Sequence, residues 1–157
     1  MKTYIILVLL TLLPMSLYSP ATIKKDSDYK NFRIYELQKA ELTLDNVKEY
    51  LQLSNVSNPI IVLSQFVLET GHGKSYVCKT FNNLFGLRTS TGYIKFTHWT
   101  ESISSTTGKI GYKQLQDKKY KGGCYYSFLV KMKYAEASNY ISVLKIIEKQ
   151  LQRKYNC

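Results

Sequence analysis

Apolar positions change their spacing several times along the chain, and each change marks a candidate element. In LTLDNVKEYLQL, Leu44, Val47, Tyr50 and Leu51 recur at helical spacing behind two candidate caps, Thr43 and Asp45. SNVSNP breaks that pattern. The run IIVLSQFVLE from Ile60 is then apolar nearly all round, as in a helix enclosed on every side. Its β-branched start at Ile60, Ile61 and Val62 would also suit a core strand. A cap followed by proline at Asn58-Pro59, the length of the run and the stop at Gly71 favour the helix.

KSYVCKTF extends as a further helical turn or two before a loop at Asn82-Asn83. Strict alternation follows, with Tyr93, Lys95 and Thr97 set against Ile94, Phe96 and His98, and predicts a β-hairpin over residues 87–99. A helix over 100–120 is weakened by Gly108 and Gly111. KGGCYY is a turn, and Ser138-Asn139 caps a final helix carrying the stripe Tyr140, Val143, Leu144, Ile147 and Leu151. The pattern therefore predicts a mainly α domain, several helices around one buried helix, with a small β-hairpin lobe.

The first residues follow another logic. Lys2, a short apolar run over 5–13, Pro14 and the small residues SPA at 19–21 form a secretory signal pattern, cut after Ala21 or after Ser19. The run is too short to span a bilayer. The expectation is an exported protein of the periplasm, cell envelope or extracellular space, with no stable membrane insertion after cleavage. Residues 22–41 are polar and charged and predict a linker or extension, which leaves one domain over 42–157.

The formal net charge of +11 favours an anionic partner or serves solubility alone. For an exported chain an anionic cell-wall polymer fits better than nucleic acid, for which no recognition motif is present. Cys78, Cys124 and Cys157 allow three pairings, each leaving one thiol over. With only His72 and His98 beside them, no metal-ligand spacing emerges, and neither a metal nor a cofactor is expected.

Glu69 ends the apolar run, in line with Val62, Gln65 and Phe66. Desolvation and the negative end of the helix dipole both favour its protonated form, so its pKa should be raised, as a general acid requires. Gly71 and Gly73 would let a ligand approach the backbone beside it, with His72 at the rim. The alternative for the same residues is a helix-end glutamate bonded to Thr70 or Ser75, or snorkelling to water.

The stretch SQFVLETGHGKSYVCKTFNNLFGLR resembles the core motif of glucosaminidase domains, the family 73 glycoside hydrolases, which carry A-Q-x-x-L-E-[ST]-G-x-G-x-S and then N-N-L-F-G-[IL]. Gln65, Leu68, Glu69, Thr70, Gly71, Gly73, Ser75, Asn82, Asn83, Leu84, Phe85 and Gly86 match in order. KYAEASNY at 133–140 matches their later GYAxxPxY, with Lys133 at the usual glycine and Ala137 and Ser138 where Asp and Pro are common. The resemblance implies a lysozyme-like helical domain that cuts the β-1,4 bond after N-acetylglucosamine in peptidoglycan glycan strands; a monomer is the separate expectation. It assigns Glu69 as general acid and places Tyr134 beside it.

A two-carboxylate glycosidase needs a second acid. The hairpin, where many such domains place one, contains none; Glu101 is the nearest candidate, with a helix-capping role as its alternative. Glu136 sits in a turn, and Glu148 is expected on the solvated side of the last helix. Without a partner, the substrate's own 2-acetamido group can attack the anomeric carbon, with Tyr134 steadying it. For the glycan surface the candidates are Asn82, Asn83, Phe85, Tyr93 and Trp99, since flat rings suit pyranose faces; the alternatives are holding the loop for Asn82 and Asn83, packing beneath it for Phe85, an ordinary exposed strand position for Tyr93 and the core for Trp99. A non-catalytic glycan-binding domain, and a muramidase or lytic transglycosylase of the same fold, are the competing expectations.

Overall fold

A computed structural model of the protein describes residues 20–105 and 108–156. The expected leader lies outside them as far as Ser19, as does Cys157. The first described element corrects an expectation: α1 (Pro20–Leu37) is a helix where a linker was expected. Leu37 is buried and Ile34 packs against the core. The Arg33 guanidinium also grips both oxygens of Glu49 at 2.8 Å. An ion pair across 16 residues leaves no periodic trace in an otherwise polar segment.

Glu49 belongs to α2 (Leu44–Leu53), capped by Thr43, whose hydroxyl accepts from the Asn46 amide at 3.1 Å, and turned so that Val47, Tyr50 and Leu51 are buried. The central helix is α3 (Pro59–Thr70). Residues 61–67 are all buried, as the unbroken apolar run requires. Each fully enclosed Val, Leu or Phe there contributes about 1.5–3 kcal/mol. Asn58 precedes Pro59 as expected but caps through backbone position only, with no side-chain bond.

Gly71 ends α3 in the left-handed region at φ 55, and the chain wraps around Thr70. Its hydroxyl donates to the Phe66 carbonyl and accepts from the Gly73 amide, both at 2.6 Å, while its carbonyl receives the Lys74 and Ser75 amides. TGHGKS is thus a helix-terminating knot that leads into α4 (Tyr76–Phe81), capped by Ser75.

The hairpin forms, with a shorter ladder than the alternation suggested. β1 (Arg88–Thr89) and β2 (Gly92–Tyr93) pair antiparallel, Arg88 opposite Tyr93. Beyond them Tyr93, Lys95 and Thr97 still face outward and Ile94, Phe96 and His98 inward. The expected helix over 100–120 is broken into α5 (Trp99–Ile103), α6 (Tyr112–Leu115) and a 3₁₀ turn (Asp117–Lys119). Close approach explains the break. A Cβ on Gly111 would lie 2.6 Å from the Glu101 carbonyl oxygen and 3.1 Å from that of Ile103, so the chain can return against α5 only with glycine there. Gly111→Ala is expected to lower stability by about 1–3 kcal/mol, measured as an earlier urea midpoint.

After a turn in which Gly122 and Gly123 take positive φ, a helix that the pattern did not announce, α7 (Tyr125–Lys131), buries Tyr125 and Leu129. α8 (Tyr140–Tyr155) lies along α3 and turns the predicted stripe inward, Leu144 and Leu151 deepest. The architecture is mainly helical around a buried α3, with one small hairpin, and is consistent with a lysozyme-like fold. Among the described residues no helix is long and apolar enough to cross a membrane.

Candidate active site

Glu69 is the penultimate residue of α3, and packing α8 against α3 brings the first residue of α8 to it. The Tyr140 hydroxyl donates to Glu69 Oε1 at 3.1 Å, across 71 residues of sequence. Glu69 is open to solvent as a residue, yet the surrounding protein raises the pKa of its carboxyl by burial, against the lowering effect of the Tyr140 bond. The direction is the one expected, and desolvation is its cause. Burial likewise pushes the Tyr140 and Tyr134 phenols above their ordinary range, so both stay protonated as donors.

Tyr134 packs tilted against Tyr140 with ring centroids 5.6 Å apart, and its buried hydroxyl makes no well-formed hydrogen bond, with at most a weak one to Tyr140. The Glu69 charge acts on that phenol. Lys133, just before it, takes φ 50, the left-handed conformation that glycine adopts without strain. Beneath lies a buried polar chain: the Tyr125 hydroxyl meets Tyr112 at 2.8 Å, and Tyr112 donates to Gln65 Oε1 at 2.7 Å. Gln65 Nε2 is buried without a partner. Gln65 lies one helical turn before Glu69, so this chain anchors the stretch of α3 that carries the acid.

Glu69 and Tyr134 line a pocket of about 460 Å³ together with Phe85, Arg88, Tyr93 and Lys119. Two of the expected aromatic residues are thus in this lining. Phe85 is buried and packs on Tyr112 with centroids 4.4 Å apart, while Tyr93 is 40% exposed and carries the Arg88 guanidinium 4.4 Å above its ring. Glu69 is the one carboxylate in that lining.

Other predicted residues do different work. Trp99 is only 2% exposed, and its indole Nε1 donates to the Ala40 carbonyl at 2.8 Å. It is a core residue, which corrects its expected place on the glycan surface. For Asn82 and Asn83 holding the loop is the reading the structure supports, because both fasten the hairpin. The Asn83 amide donates to the Leu87 and Ile94 carbonyls at 2.8 and 3.0 Å and accepts from the Leu87 amide at 2.9 Å. Asn82 donates to the carbonyls of Phe96 and Thr97. The two side chains thereby fix the loop that presents Phe85, Arg88 and Tyr93.

Glu101 is the N-terminal glutamate of α5, its Oε2 accepting from the Thr97 amide at 3.0 Å. It is absent from the pocket lining, so its capping role is the one the geometry supports. Glu148 is half-buried instead of solvated and bonded to Tyr126 and Gln152. Gly71, His72 and Gly73 do not line the pocket either; the glycines serve the turn, correcting the expected ligand approach there. Tyr140 was missed as a site residue, although it closes the same KYAEASNY segment that pointed to Tyr134.

The Cys78 thiol is buried and free, pushed up to about 11 by desolvation, while Cys124 is free and exposed. Among the described residues no three His, Cys, Asp or Glu side chains are grouped to hold a metal. The site is thus a protonatable carboxyl in an aromatic, cation-flanked pocket, suited to giving a proton to a ligand oxygen.

No curated protein and no solved structure matches the chain. A family model does, covering residues 44–153: Glucosaminidase, described as mannosyl-glycoprotein endo-beta-N-acetylglucosaminidase. The match spans well over half of the chain and includes Glu69, Tyr134 and Tyr140, together with the hairpin that carries Phe85 and Tyr93. The chain belongs to the glucosaminidase family.

Proposed function

We propose that the protein is an exported peptidoglycan hydrolase that cuts the β-1,4 bond following N-acetylglucosamine, with Glu69 as its general acid. Family membership supports a glycan hydrolase in kind. The observation that carries the finer reading is the pairing of one pocket carboxylate, bonded to Tyr140, with the buried and poorly bonded Tyr134 hydroxyl.

With a single carboxylate in the lining, the substrate supplies the second group. Glu69 gives its proton to the glycosidic oxygen as the C1–O bond breaks, and the 2-acetamido oxygen forms a new bond to C1. Water then attacks C1, gives a proton to the Glu69 carboxylate and restores the acetamido group. On strand binding the buried Tyr134 hydroxyl turns onto the acetamido oxygen and holds it in line with C1 during cyclisation. Tyr93 offers a ring to the sugar, with Phe85 packed beneath the pocket. Digestion of purified peptidoglycan tests the reading by mass spectrometry: fragments with reducing-end N-acetylglucosamine are expected, whereas reducing-end or anhydro-muramic acid would assign a muramidase or transglycosylase.

A pH prediction follows from the Glu69 environment. The acid form is active, so turnover falls as pH rises through the pKa of Glu69. Burial places that fall above the range of an ordinary glutamate. Tyr140 stabilises the carboxylate form and holds the pKa down, so Tyr140→Phe is expected to move the alkaline limb to higher pH. The pH–kcat profiles of the two proteins check this, and an unmoved or lowered limb would refute it.

A further inference from the structure

A neighbouring cavity borders the active-site pocket without containing Glu69. It has a volume of about 610 Å³ and shares Lys119 and Met132 with that pocket. Two aromatic residues line it: Tyr120 and Phe128 meet with centroids 5.5 Å apart, and both back onto the buried Tyr125, at 4.9 and 5.3 Å. Its lining also carries Lys119, Lys121 and Lys131, all exposed, and no acidic residue. Among the described residues none of the three makes an ion pair. Lys121 reaches only the Lys118 carbonyl, at 3.3 Å.

Three cations around one concavity repel one another, and bringing carboxylates among them relieves that repulsion. The volume lies in the range of ligand sites and exceeds a water-filled crevice. We infer that this cavity receives the peptide arm of the glycan strand, its aliphatic part against Tyr120, Phe128 and Met132 and its free carboxylates among Lys119, Lys121 and Lys131. The inference rests on the proposed peptidoglycan substrate. Continuity with the Glu69 pocket favours an arm covalently attached to the strand being cut over a separate anionic polymer. The site sets substrate preference: strands with acidic peptides bind in register, and strands whose peptide carboxylates are capped bind more weakly.

The test uses short peptide-bearing glycan strands, free of other wall polymers, and the same strands after carbodiimide amidation of their carboxylates. Binding is measured by fluorescence anisotropy on the Glu69→Gln protein, with turnover measured separately on the Glu69-containing protein. Native strands are expected to bind about five- to tenfold tighter than amidated ones, the scale of two partly exposed ion pairs. Lys121→Gln/Lys131→Gln is expected to abolish that preference while leaving amidated-strand affinity unchanged. Circular dichroism confirms that the double variant is folded.

Equal binding of the two strands, or a double variant that keeps the full preference, overturns the inference. So does an equal loss of affinity for both strands, which would reveal general attraction to polyanions. Preference in binding without any turnover overturns the glycosidase reading alone and leaves the arm site standing.

Discussion

Glu69→Gln is expected to lower turnover of glycan strands by about 10²–10⁴-fold with little change in strand binding. Gln keeps the shape and can still accept the Tyr140 hydroxyl bond seen at 3.1 Å. It has no proton to give to a leaving oxygen, so the loss falls on kcat and leaves KM near its original value. Folding should be untouched or slightly improved, since the burial that raises the Glu69 pKa opposes a charge and penalises a neutral amide less. Reducing-end release and denaturation midpoints on the same preparations separate these effects. Retained turnover would remove Glu69 from the chemistry. A wild-type protein that binds strands and never cuts them would make the domain a glycan-binding member of its family.

The sequence carried some of this plainly and the rest hardly at all. α3 was legible because three signals agree on it: the cap position with proline, the apolar run and the glycine stop. The inward face of α8 was legible by period alone. α1 was not, because among its described side chains only Ile34 and Leu37 show apolar packing and the Arg33–Glu49 bond is long-range. The break between α5 and α6 depends on Gly111 lying against the Glu101 carbonyl, a contact that helix propensity does not encode. The site divides the same way. Glu69 could be found from its apolar neighbours on one helix. Tyr140 could not, because its role arises only when α8 packs on α3. Asn82 and Asn83 suggested glycan contacts as exposed loop amides do, until the Leu87, Ile94 and Phe96 carbonyls turned out to be their partners.

The poorly bonded hydroxyl of Tyr134 gives the other large expected effect. Tyr134→Phe should reduce kcat by about 10²-fold, the scale for letting a reacting group slip out of line with its target atom. A structural tyrosine behaves differently. Removing a hydroxyl that bonds well to a protein partner costs stability, whereas this one is buried with at most a weak bond to Tyr140. An unpaired buried polar group itself costs about 1–3 kcal/mol, so Tyr134→Phe should leave the denaturation midpoint unchanged or raise it. The ring remains, and with it the packing on Tyr140 at 5.6 Å. A thiazoline mimic of the cyclised acetamido group supplies the readout that a structural role would not move. It should bind wild type and lose at least tenfold in affinity in the variant. If Tyr134→Phe lowers stability and keeps both turnover and thiazoline binding, the acetamido route is wrong. The missing second carboxylate would then have to come from a residue outside the Glu69 pocket. Glu136 would be the first to test, because it lines a neighbouring cavity with Tyr134 and Tyr140.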